Sequence, residues 1–108
     1  MILDERHLSM LRELGDDVVG EIVGVYLHTT PDNLKALSAA VAADDPGTVR
    51  REAHSLKGAS GNVGAVALSN ACRDLEHAAA AGESARIPGL WASVQARYAE
   101  ARSALEAL

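Results

Sequence analysis

Apolar residues recur along this chain at helical spacing, and capping residues, prolines and glycines divide it into five helical segments. A short first helix opens at Asp4 as N-cap and closes at Gly15. The second segment begins near Asp16 or Asp17 and carries Val19, Ile22, Val23 and Tyr26 on one face. Thr30-Pro31 reads as an N-cap followed by a first helical residue, which predicts a kink or a restart there. Leu34, Leu37 and Val41 continue the apolar stripe beyond it.

Asp45-Pro46 repeats the cap-then-proline signal and opens the next helix, which is expected to end at Gly61-Asn62 in a left-handed turn. Another runs from about Gly64 to Ala81 and stops at Gly82. The last starts between Ser84 and Pro88, with Trp91, Val94, Tyr98, Ala101, Leu105 and Leu108 alternating steps of three and four. That alternation is the seam of an antiparallel bundle helix. Connections of about two to six residues favour neighbouring antiparallel helices. The expected fold is all-α: an up-down four-helix bundle in one domain over residues 1–108, with the short N-terminal helix capping one end.

Composition narrows the picture. The 108 residues include no Phe, one Trp and two Tyr, and Ala is abundant, a balance that favours helices because Ala loses least on entering one. A net charge of −5 argues against a nucleic-acid or membrane-surface binder. The lone Cys72 excludes an intrachain disulfide and fits a reducing cytosol. Asp4, Glu5 and Arg6 interrupt the N-terminus before any signal-like apolar run, and nothing approaches a membrane span. A cytoplasmic protein is the expectation.

The candidate chemistry lies in Ala53-His54-Ser55-Leu56-Lys57-Gly58-Ala59-Ser60-Gly61. At about 100° per residue, Val49, Ala53, Leu56, Ser60 and Val63 cluster into a core-facing sector roughly 80° wide. His54 falls about 140° from the middle of that sector and faces outward with Gly58 and Gly61, while Lys57 sits at the edge. Arg50 and Arg51 flank it on the preceding turn, so the site is exposed and locally basic. A neutral imidazole is a good nucleophile near pH 7 because its ordinary pKa is about 6.5. Lys57, three residues on, is in reach of a group attached to His54 and can neutralise phosphoryl oxygens as a mobile point charge. Gly58 costs the helix roughly 1 kcal/mol relative to Ala, and room for a phosphoryl group or a partner surface is a reason to bear it.

Other polar residues read as structure. Cys72 shares a core stripe with Leu68, Leu75 and Ala79, whereas His77 points nearly opposite, so the two cannot chelate one metal ion. His7 and His28 lack the Lys-Gly company of His54, and Trp91 and Tyr98 read as core anchors. Ser55 points about 100° from His54 and Ser60 lies on the core side. With no carboxylate placed to orient the imidazole and no oxyanion hole, serine hydrolase chemistry does not fit.

On these residues the chain resembles the histidine-containing phosphotransfer (HPt) domain family. The family pattern of alanine, phosphorylated histidine, any residue, leucine, lysine, glycine, a small residue and serine is met by Ala53 through Ser60. It continues in Asn62-Val63-Gly64-Ala65, Leu68 and Cys72-Arg73-Asp74-Leu75-Glu76, and upstream in Pro31-Asp32-Asn33-Leu34, Leu37 and Asp44-Asp45. Tyr26 stands where phenylalanine is common, and Gly61 where alanine is. The resemblance covers residues 3 to 108 and implies a phosphorelay intermediate. Nε2 of His54 would take a phosphoryl group from a receiver-domain aspartate, or through a hybrid histidine kinase, and a second receiver would remove it. It further implies that Lys57 stabilises the phosphoryl group and Gly58 leaves space for it. Arg50, Arg51, Gly61, Arg73 and Glu76 are expected to meet the acidic receiver. No cofactor or metal is expected in this chain, and Mg2+ is expected on the partner receiver. Two alternatives stay open: an adaptor that binds receivers or kinases without carrying phosphate, and the substrate domain of an ATP-dependent chemotaxis-type kinase. The opening Met favours a free-standing protein over such a fragment.

Overall fold

The computed structural model describes residues 2–108, and these form five α-helices and no strand. Helix α1 spans Glu5–Arg12, α2 Asp16–Ala42, α3 Pro46–Asn62, α4 Val66–Ala80 and α5 Ile87–Glu106, with one 3-10 turn at Ser84–Arg86. Helices α2 to α5 run up and down, each packed on the next, and α5 closes back onto α2. The four-helix bundle is elongated, 43 × 22 × 19 Å.

Caps and turns set the helix limits. Asp4 caps α1 by accepting from the Arg6 N–H at 3.0 Å, and Asp45 caps α3 by accepting from the Thr48 N–H at 3.2 Å. Helices α2, α3 and α4 close alike. A left-handed residue (Asp44, Gly64 or Gly82) precedes an N–H that returns 2.9 Å to the carbonyl of Ala40, Ser60 or Ala78. The left-handed residue after α3 is thus Gly64, at φ +75°, and Gly61-Asn62 remain helical. The N-terminus explains the choice: the Asp4 N–H donates to Gly64 O at 2.7 Å, and His7 Nε2 lies 2.7 Å from Asn62 O. Both contacts dock the first residues against the α3–α4 turn, so α1 covers that end of the bundle.

Pro31 neither ends nor restarts α2, which is unbroken from Asp16 to Ala42. Thr30 is no N-cap: it is fully buried mid-helix, and its hydroxyl donates to Tyr26 O at 2.7 Å. Burial of Tyr26 and Thr30 before the proline and Leu37 after it keeps one helix despite the lost donor. Leu108 leaves the seam of α5, lying beyond the helix end and 52% exposed.

Leu37, Leu56, Leu75 and Val94 are wholly enclosed, and Trp91 and Tyr98 are buried with them as expected. The α3 stripe of Val49, Ala53, Leu56 and Ser60 is buried throughout, and Val63 just beyond the helix joins it. The core also holds a polar cluster: Tyr26 Oη lies 2.9 Å from Ser60 Oγ, and Thr30 Oγ1 2.9 Å from Tyr98 Oη. Burial pushes the Tyr26 hydroxyl up to about 12, against the opposing pull of its Ser60 bond. These bonds satisfy groups that would otherwise be buried without partners.

Candidate functional site

His54 lies midway along α3 with its core neighbours Ala53 and Leu56 fully buried, and this turns its imidazole outward, 68% exposed. The outward face is as the helical wheel predicts. What the wheel does not reach is the neighbouring helix. Glu76 projects from α4, one turn after buried Cys72 and beside buried Leu75, and its side chain is only 13% exposed.

Its two oxygens divide between two partners. Oε2 lies 2.6 Å from His54 Nδ1, and Oε1 accepts from Lys57 Nζ at 2.6 Å. Burial tends to raise the Glu76 carboxyl, but the bonds and charges of Lys57 and His54 outweigh it and hold the group below the ordinary carboxylate range. An ionised carboxylate only accepts, so the proton at this contact resides on His54 Nδ1. In the neutral ring this leaves the lone pair on Nε2, the nitrogen that Glu76 does not touch.

This corrects the sequence reading at one point. A carboxylate does orient the imidazole, and it comes from the next helix, across a sequence separation of 22. Lys57 Nζ donates to that same carboxylate, so the lysine and the histidine share one acid. Ser69, also on α4, donates to Lys57 O at 3.2 Å and ties the two helices at this level.

The remaining candidates fall into place around this pair. A Cβ built on Gly58 meets no protein atom within 4 Å, so the space there is open. A Cβ on Gly61 meets only Ser69 Oγ at 3.9 Å. Arg50 and Arg51 line a shallow cavity of about 430 Å³ together with His54, Glu76 and Gly47. Arg73 is exposed on α4, 3.8 Å from Asp74, and lines no part of that cavity. Gly47 escaped the sequence reading, although it sits seven residues before His54 and hence on the same face. Cys72 is buried, and burial, with the nearby Glu76 charge, pushes its thiol up to about 12. No cluster of three metal-ligating side chains forms among the described residues.

Residues 21–108 match the family model described as the Hpt domain. The chain belongs to the HPt family. These are the histidine phosphotransfer domains of two-component signalling. The structure is similar to the crystal structure of histidine-containing phosphotransfer protein B (HptB) from Pseudomonas aeruginosa PAO1, at 34% identity and a TM-score of 0.92. The match covers 97% of this chain and 91% of that one. No curated protein matches the chain significantly. Among the described residues, no helix is long and apolar enough to cross a membrane. The part of this HPt bundle that carries His54 and Glu76 lies within the matched residues.

Proposed function

We propose that His54 is the phosphoryl-accepting residue of a phosphorelay carrier, taking the group from a receiver-domain aspartate and passing it to another receiver. The observation that carries this reading is the Glu76 contact to Nδ1 at 2.6 Å, which leaves Nε2 as the exposed nucleophile.

The chemistry needs little from the chain itself. The Nε2 lone pair attacks phosphorus of an aspartyl phosphate, the P–O bond breaks, and the aspartate leaves as a carboxylate. Nε2 has no proton to lose, because the tautomer already carries it on Nδ1. The phosphorylated ring is then cationic, and the Glu76 carboxylate faces that charge directly. Reversal on a second receiver regenerates the starting imidazole. The Mg2+ that organises the phosphoryl group would belong to the receiver in both directions. Lys57 keeps Glu76 ionised and fixed, and the open surface at Gly58 admits the partner.

The test is transfer of labelled phosphate from a panel of phosphorylated receivers to the wild-type chain and to His54→Gln. Acid-labile, base-stable label on the former and none on the latter is expected. Binding of a receiver with no label on either protein overturns the carrier reading in favour of an adaptor. Labelling only by ATP with a kinase domain overturns it in favour of a kinase substrate.

A further inference from the structure

We infer that the groove between α2 and α5, at the end of the bundle capped by α1, is a docking site for a basic amphipathic helix of another protein. His54 plays no part in it, so a receiver can occupy that residue while the groove is filled.

The packing order of the helices puts this groove on the far side of the molecule. Helices α2 to α5 form a ring in which α3 and α4 carry His54 and Glu76, and α2 meets α5 on the opposite side. There α2 presents Asp16, Val19, Gly20 and Val23 at steps of three, one and three residues, a single stripe along a helix. With Leu105 and Leu108 they line a cavity of about 420 Å³. Val19, Val23 and Leu105 give it an apolar wall, and a Cβ built on Gly20 meets nothing within 4 Å. The α2 side is thus bare where an incoming helix would rest. The surface at this end is apolar as well. Of the six large apolar side chains exposed among the described residues, Ile2, Met10, Leu14, Val66 and Leu108 belong to α1, its flanks or the helix ends beside it.

Charge selects the occupant. Residues 4–21 carry six carboxylates against two guanidiniums, which accounts for four of the net −5. Among the described residues, none of these eight groups forms an ion pair, although charged side chains elsewhere form six. Arg12 is the only cation lining the groove, and Asp16 stands beside it. A second copy would set these carboxylates against themselves, and an anionic membrane surface would be repelled. A helix with lysines or arginines beside an apolar stripe answers both features. Its apolar side chains cover Val19, Val23 and Leu105, and its cations face the unpaired acids.

The experiment titrates the full chain, labelled with nitrogen-15, with a short amphipathic peptide bearing leucines at helical spacing and lysines beside them, and with its glutamate counterpart. The lysine peptide is expected to shift the amides of residues 19–23 and 105–108, with an affinity that falls as salt rises. The glutamate peptide should bind about tenfold more weakly or worse. Gly20→Gln, which a helix tolerates and which fills the open wall, should weaken the lysine peptide about tenfold. Asp16→Asn should weaken it about threefold, and Asp32→Asn, an exposed acid further along α2, not at all. His54→Gln should bind as the wild type does. No shift in the groove, equal binding of the two peptides, shifts centred on His54, or full binding by Gly20→Gln overturns the docking site. Self-association in sedimentation that moves the same amides overturns it in favour of a second copy. A response to phosphatidylglycerol vesicles without one to the lysine peptide overturns it in favour of a membrane. Phosphoryl transfer to His54 is read from its own label and is untouched by any of these results.

Discussion

The carboxylate of Glu76, on α4, holds the Nδ1 edge of His54, on α3, at 2.6 Å. A single bond between two helices thereby decides which ring nitrogen is engaged and which is left facing away from Glu76. Glu76→Ala should let the two tautomers exchange and slow phosphorylation of His54 about tenfold, while Glu76→Gln, which still accepts from Nδ1, should lose less. The check is a labelling rate beside a nitrogen–proton NMR spectrum of the imidazole. A changed rate with an unchanged tautomer would contradict the positioning role.

The same contact makes a prediction about acid stability. The Glu76 carboxyl is held below its ordinary 4.5 in the folded protein, so its contribution is complete above that value and is lost as pH falls through the lowered one. Urea unfolding of the wild type should therefore weaken on acidification below about pH 4.5. Glu76→Gln should show a smaller decline across that window than the wild type does.

Gly58 separates fold from function. With nothing within 4 Å of an added Cβ, Gly58→Ala should stabilise α3 by roughly 0.5–1 kcal/mol in thermal unfolding. Transfer from a phosphorylated receiver should nonetheless slow, more so for Gly58→Leu. A stabilised variant with full transfer would mean that no partner approaches this surface.

Gly64 behaves in the opposite way. At φ +75°, and with a Cβ that would lie 3.3 Å from His7 Cδ2 and 3.5 Å from the Asp4 backbone, Gly64→Ala should cost about 1–3 kcal/mol. Gly82→Ala, also left-handed but with open space around it, should cost less. Melting temperatures of the two variants give the comparison.

The buried Tyr26–Ser60 bond predicts non-additivity. Tyr26→Phe leaves Ser60 Oγ without its partner and should cost about 1–3 kcal/mol, and adding Ser60→Ala should recover part of that loss. A strictly additive double-mutant cycle would show that the bond contributes nothing.

How much of this was legible in the chain follows from range. Periodicity and caps are local, so helix number, the outward face of His54 and the buried stripe of Val49, Ala53, Leu56 and Ser60 could be read from the residues alone. Local signals also misled where packing outweighed them, as at Pro31, where buried residues on both sides keep α2 whole. The same holds at Gly61-Asn62, where docking of Asp4 and His7 puts the left-handed turn at Gly64 instead.

The site itself divides along the same line. The sequence determined that a histidine, a lysine and bare glycines share one exposed surface, because one helix carries them all. Only the tertiary structure decided that Glu76 joins His54 to Lys57. That contact depends on the rotation and height of α4 against α3, set by burial of Leu68, Cys72 and Leu75 and by the closing turn at Gly64. A helical wheel places residues around one axis and carries no information about how far a second axis lies along the first.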